Sequence, residues 1–183
     1  MKRFYVAATA DIATRAHREA VSEVCARLAA ELGAPIAETA LPAIDFAWDA
    51  GRRQYASIAV LEMLARACPP DAWKLLAVTS RDLFLPVLTF VYGQAQLGGR
   101  VAVMSLARLE QEFYGLASNP EVFLERARKE ALHETGHMLG LVHCADRTCA
   151  MTLSTNVRQI DLKQAAFCAP CAALWKRNTE KQS

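Results

Sequence analysis

The sequence predicts an α/β (α+β) fold: a twisted, mixed but mostly parallel sheet packed by helices and followed by a small cysteine-rich C-terminal part. Three observations carry that expectation. Strand-like and helix-like patterns alternate through the first 80 residues, the order that builds parallel strands with helical crossovers. Of the 183 residues, 53% are hydrophobic and 22% charged, enough for a packed core that buries about 70% of the extended surface. Four of the six cysteines crowd the last quarter of the chain.

The elements follow in order. Phe4-Tyr5-Val6 opens an apolar run to Ala10 and reads as a strand. The weaker alternative is a short export signal, with Met1-Lys2-Arg3 as its basic start and small residues near Ala8 and Ala10 as its cleavage site. Asp11 is positioned to cap a helix to Leu32, in which Ile12, Ala16, Ala20, Val24, Leu28 and Leu32 recur every four residues. Gly33 ends that helix and Pro35 prevents its resumption. Ile36 to Leu41 reads as a strand between prolines. A second helix is expected from about Arg52 to Ala67, stopped by Pro69-Pro70, and Leu75 to Thr79 as a buried strand. Leu88 to Tyr92 and Val101 to Met104 read as two further strands joined across Gly93 to Gly99. Ser118 with Glu121 forms a capping box with Pro120 in the first turn, starting a helix of about 120–139. No repeat or linker interrupts the chain, so residues 1–183 are expected to form one domain. Its N-terminal part would be 1–139 and its C-terminal part 140–183.

Lys+Arg 21 against Asp+Glu 19 leaves a formal charge of +2, spread along the chain, which excludes the basic footprint of a nucleic-acid binder. No apolar stretch reaches the ~20 residues of a membrane span. With the N-terminal strand reading, the expected compartment is a reducing cytoplasm, where clustered cysteines bind metal more often than they pair.

Three of the four histidines fall in His133-Glu134-Thr135-Gly136-His137-Met138-Leu139-Gly140-Leu141-Val142-His143. On a helix, positions i and i+4 share a face, so His133 and His137 can offer two imidazoles to one ion while Glu134 borders the same cavity. Gly140 just past the helix end can adopt the left-handed conformation and turn the chain, bringing His143 in as third ligand. Three imidazoles leave one tetrahedral position of Zn²⁺ open to water, the mark of a catalytic rather than a structural site. Glu134 is then placed to take a proton from that water and return it to a leaving amine.

Cys144 and Cys149, with Cys168 and Cys171, form two pairs at the spacing of a closed four-thiolate zinc site. A thiol redox pair at Cys168-Cys171 is the competing reading, but it leaves Cys144 and Cys149 unexplained. Since Cys144 follows His143 directly, and neighbouring side chains of an extended segment point oppositely, one backbone stretch can serve both ions. Cys25 and Cys68 read as buried small hydrophobes.

The segment His133 to His143 resembles the extended zinc signature of the metzincin metalloproteases. Its continuation, Cys144-x4-Cys149-x-Met151 and then Cys168-x-x-Cys171, resembles the archaemetzincin family in particular. Weaker likeness extends to Asp45-Phe46-Ala47-Trp48, Arg53-Gln54-Tyr55 and Phe90-Val91-Tyr92-Gly93. The resemblance implies a zinc-dependent peptidase acting on peptides or unfolded polypeptides. It implies catalytic zinc on His133, His137 and His143, Glu134 as general base and acid, and a second, structural zinc on Cys144, Cys149, Cys168 and Cys171. It also implies that Met151 is the methionine of the turn beneath the histidines, and that an edge strand, expected within 88–104, borders the cleft. Some metzincins place a tyrosine shortly after that turn to stabilise the oxyanion. Here Thr152-Leu153-Ser154 follows, so any such donor must come from elsewhere. The rival reading is a zinc-stabilised module that binds peptides without cleaving them, but such a module has no physical need for Glu134.

Overall fold

The structure is a computed structural model that describes residues 3–182; Met1 and Lys2, part of the export-signal alternative, lie outside the described residues. The strands are β1 (Arg3–Thr9), β2 (Ile36–Leu41), β3 (Trp48–Asp49), β4 (Gln54–Ala56), β5 (Ala72–Thr79), β6 (Leu83–Phe84), β7 (Gly93–Ala95) and β8 (Val101–Ser105). The α-helices are α1 (Arg15–Leu32), α2 (Ser57–Ala67), α3 (Pro120–Met138), α4 (Val157–Leu162) and α5 (Ala169–Gln182). The main sheet has the order β2-β1-β5-β8-β7, and a smaller one the order β3-β4-β6. In the main sheet β2, β1, β5 and β8 run parallel, and β7 pairs antiparallel to β8 at the edge. The mixed, mostly parallel sheet is therefore the one expected.

Side-chain alternation along the strands divides the interior. Leu76 and Val78 of β5 face one layer with Val24 and Leu28 of α1 and Ala127 and Ala131 of α3. Leu75 and Ala77, one step out of phase, face Val60, Leu61 and Leu64 of α2. Both faces of the central strands are thus buried, which is why β8 reads as a continuous apolar run. A third cluster of Leu139, Leu141, Cys149, Met151, Cys171 and Trp175 forms the small C-terminal core.

Local chemistry moves several expected boundaries. Thr14 rather than Asp11 caps α1, its side chain accepting from His17 N at 3.1 Å. The Asp11 carboxylate is engaged elsewhere, accepting from Thr79 Oγ1 at 2.8 Å and Ser80 N at 2.6 Å. The second helix begins at Ser57 instead of Arg52, because a turn closed by Asp49 puts Arg53 at φ +56° and feeds Gln54–Ala56 into the small sheet. Leu88 to Tyr92 is not a strand. Pro86 lies at the entrance to this stretch, and Phe90 and Tyr92 pack edge-to-face at 5.1 Å with the Arg108 guanidinium 4.0 Å from the Phe90 ring centre. The edge strand is formed by Gly93–Ala95, inside the segment expected to be a loop. Asn119, one residue after the expected cap, accepts from Val122 N at 3.2 Å. Pro120 then takes the first helical position, where its missing N–H costs nothing.

Among the described residues no helix is long and apolar enough to cross a membrane.

Candidate metal and catalytic site

Helix α3, about 28 Å long by its rise per residue, is nearly all buried in its last three turns, from Arg126 onward. Its end is pinned from three sides. Lys74 donates to the Met138 carbonyl at 2.7 Å, Asn178 of α5 to the Leu139 carbonyl at 2.8 Å, and Gly98 N to the His137 carbonyl at 2.8 Å. Gly140 adopts φ +85°, the left-handed turn expected, and Leu141 N closes back on the Gly136 carbonyl at 2.9 Å. The chain then reverses and carries His143 to the helical pair. Its ring lies 5.3 Å from that of His133 and 4.9 Å from that of His137, centre to centre.

Ligand nitrogens of the three histidines lie within 4.8 Å of one another. His133 Nδ1 is 2.9 Å from the Ala150 carbonyl and His137 Nδ1 is 2.8 Å from the Leu141 carbonyl. A carbonyl only accepts, so both Nδ1 atoms carry the proton and both Nε2 atoms present lone pairs. Those lone pairs face each other across 3.1 Å, an arrangement that a shared cation makes favourable. Burial holds all three imidazoles below their ordinary pKa, His133 most strongly, and Lys163 adds to the effect on each. The cluster is therefore neutral and ready for a metal at pH 7. The donor set fits zinc.

Glu134 is buried beside it, with Oε2 lacking a hydrogen-bond partner. Burial, reinforced by the charge of Glu130 and opposed by Lys163, pushes its carboxyl well above the ordinary carboxylate range. It opens, with the histidines, into a cavity of about 650 Å³. Gly93, Gln94 and Ala95 of the edge strand line one side of that cavity. A β-carbon on Gly93 would stand 2.5 Å from Glu134 Oε1, so the strand approaches the carboxylate more closely than any side chain permits. Likewise a β-carbon on Gly136 would collide with Met151 Sδ. Met151 is wholly buried against the histidine helix, its Sδ beside Gly136.

The sulfurs of Cys144, Cys149, Cys168 and Cys171 lie within 4.8 Å of one another. Cys144 Sγ and Cys168 Sγ are 3.7 Å apart, far from the ~2.05 Å of a disulfide, and all six cysteines are free. Backbone N–H groups point at this cluster: Met151 N and Cys168 N each lie 3.4 Å from Cys149 Sγ, and Asp146 N lies 3.4 Å from Cys144 Sγ. Such bonds stabilise thiolate ligands. The Cys171 N–H lowers the pKa of Cys168 in the same way. The four-sulfur set thus fits a closed zinc site and removes the grounds for an isolated redox pair. Cys25, pushed up to about 12 mainly by burial, is inert.

All ten sequence-predicted site residues converge on this region. The spacing arguments did not single out Gly93, Gly136, Glu130 or Lys163. A glycine inside a strongly helical segment costs about 1 kcal/mol against alanine, so Gly136 was the one of these that carried a legible signal.

Residues 71–177 match the profile of Peptidase family M54. The chain is 42% identical over 134 residues to the archaemetzincin of Methanocaldococcus jannaschii, an alignment covering 72% of this chain and 73% of that protein. Among solved structures, the archaemetzincin of Methanopyrus kandleri superimposes with a TM-score of 0.86 at 34% identity, covering 98% of this chain and 96% of that one. The archaemetzincin of Archaeoglobus fulgidus, solved in complex with malonate, gives 0.77 at 34% identity over 94% and 99% of the two chains.

Proposed function

Since the chain belongs to the archaemetzincins of peptidase family M54 and is a zinc-dependent peptidase, we propose how its own residues divide that work. His133, His137 and His143 hold the catalytic ion, and Cys144, Cys149, Cys168 and Cys171 the structural one. Bound zinc supplies Lewis acidity toward water and toward a peptide carbonyl. Glu134 takes up the proton of the attacking water at Oε2 and delivers it to the leaving amine nitrogen. Its burial supports this role, because a carboxyl pKa raised above the ordinary range makes the carboxylate a stronger proton acceptor. Leu141 and Ala150 hold His137 and His133 in the tautomer that aims Nε2 at the ion.

The substrate is a peptide or unfolded polypeptide in extended form, paired through its backbone to β7. The rim of exposed Leu88, Leu97, Val142 and Leu153 supports a chain laid across the cleft. The free thiols support a reducing, cytoplasmic setting, and the near-neutral charge argues against nucleic acid as partner.

One observation carries the reading: a partnerless, buried Glu134 oxygen in the same cavity as three histidine nitrogens. The test is cleavage of a mixed peptide library by the zinc-loaded protein beside Glu134→Gln. Hydrolysis by the parent and its loss in the variant is the expected result; equal hydrolysis in both removes Glu134 from the mechanism.

A further inference from the structure

One charged pair in the cleft, Glu130 and Lys163, enters the chemistry above only through its charge. Lys163 follows α4, and its Nζ reaches Glu130 Oε1 at 3.4 Å; the Lys163 side chain is 0% exposed and that of Glu130 3%. Both line the cavity that contains Glu134 and the histidines. An ammonium has three N–H donors, and this one has a single, long hydrogen bond among the described residues. Buried donors are normally satisfied, since leaving one unpaired costs its full desolvation. A second polar group in the same cavity, Ser154 Oγ, is buried without a hydrogen-bond partner.

The position along α3 says what could meet these donors. His133 and His137 would hold the ion, and Glu130 precedes His133 by three residues, about 4.5 Å of helical rise, and lies one turn before Glu134. The Glu130–Lys163 pair therefore sits about one helical turn along α3 from the histidines and Glu134, within the span of a single substrate side chain next to the bond under attack. Apolar residues, Leu85, Phe90 and Leu153 among them, line the same cavity. A polar floor under apolar walls selects a side chain with a methylene stem and a polar end. The charges of Glu130 and Lys163 offset each other; the cavity's unpartnered acceptors, Gln94 Oε1 and Glu134 Oε2, belong to the edge strand and the histidine site, whereas at the Glu130–Lys163 pair itself the ammonium keeps unspent N–H donors.

We propose that Lys163, held by Glu130, is a specificity-determining residue that selects peptides whose side chain beside the scissile bond ends in an acceptor oxygen, a carboxamide or a carboxylate. This rests on the peptidase reading. A site built to hydrogen-bond a polar group discriminates strongly against an analogue that lacks it, because its own buried groups are then left unpaired.

The test uses a peptide library randomised on both sides of one fixed bond, read by mass spectrometry in two ways. One is cleavage by the zinc-loaded parent; the other is capture by zinc-loaded Glu134→Gln, which needs no turnover. Gln or Glu enriched at least about tenfold over Leu at one neighbouring position is expected in both readings, and comparison of the Gln and Glu arms decides between carboxamide and carboxylate. The double substitution Glu130→Leu with Lys163→Met removes both charges together, avoiding the buried unpaired charge that a single change creates. Its profile should move to aliphatic side chains. Cleavage or capture that favours aliphatic residues in the parent, no capture at all, or a folded double variant with the parent's profile would overturn the proposal. If that double variant does not fold, the parent's profile alone decides. Selective capture without cleavage by the parent would leave the acceptor preference standing and sink the peptidase reading instead.

Discussion

The three-histidine and four-cysteine clusters sit on one stretch of backbone, yet they are built in opposite ways. In the cysteine cluster the fold supplies everything a closed site needs: four sulfurs and backbone N–H groups aimed at three of them. The histidine cluster is rigidly braced from behind by the Ala150 and Leu141 carbonyls, while its front opens on a cavity that holds a partnerless carboxylate oxygen. His143 and Cys144 are adjacent, and Cys144 N donates to the Met151 carbonyl at 3.0 Å, so the closed site braces the open one. The difference teaches that ligand count alone does not separate structural from catalytic metal; what stands unsatisfied beside the ligands does.

The largest expected effect comes from breaking the closed site. Cys168→Ser removes a thiolate from a cluster whose ion contributes on the order of 10 kcal/mol of apparent binding energy to folding. Zinc per chain, melting temperature and peptide hydrolysis should all fall, the first two before the third. A variant that keeps two zincs and the parent's melting curve would show that the cysteines are not a structural site. His143→Ala should come next. Taking away the one ligand outside α3 leaves two imidazoles, so one zinc is lost and hydrolysis with it, while the melting transition stays close to the parent's because the cysteine zinc remains. Metal analysis with calorimetry on the same sample reads both halves.

Glu134→Gln sharpens the contrast further, because it alters the open site without altering its ligands. Both zincs and the melting curve should persist while hydrolysis falls about 10² to 10⁴-fold. Loss of zinc together with activity would mean that Glu134 holds the metal site together instead of moving a proton.

Much of this was legible in the sequence where one residue type has one physical use. Histidines at i and i+4, a glycine suited to a left-handed turn, and cysteines in two pairs point to the two candidate ligand sets without any knowledge of packing. The parallel sheet followed from alternating periodicities. What stayed illegible depends on long-range partners. Asp11 looks like a helix cap until Thr79 and Ser80 claim it, and Leu88 to Tyr92 has strand composition until Arg108 stacks on Phe90. Glu130 and Lys163 carry no signal in the sequence, because nothing in their spacing reveals that α4 folds back over α3. Met151 was identifiable only through the family resemblance.

The smallest effects come from two glycines that separate the open site from its support. Gly136→Ala drives a methyl group against Met151 Sδ in a fully buried layer, where crowding costs about 1–3 kcal/mol. Melting temperature should fall, with hydrolysis per folded, zinc-loaded molecule little changed. Gly93→Ala meets instead the Glu134 side chain along Cγ, Cδ and Oε1, with the cavity in front of the carboxyl as the direction in which it yields. Stability should change little, but a displacement of the carboxylate by about 1 Å is enough to cost up to 10²-fold in rate. The pair therefore predicts a crossed result: one substitution lowers melting and spares kcat, the other spares melting and lowers kcat. If Gly93→Ala destabilises the fold as Gly136→Ala does and leaves turnover intact, the approach of the edge strand to Glu134 is packing alone. The front of the histidine site would then be as structurally committed as its back.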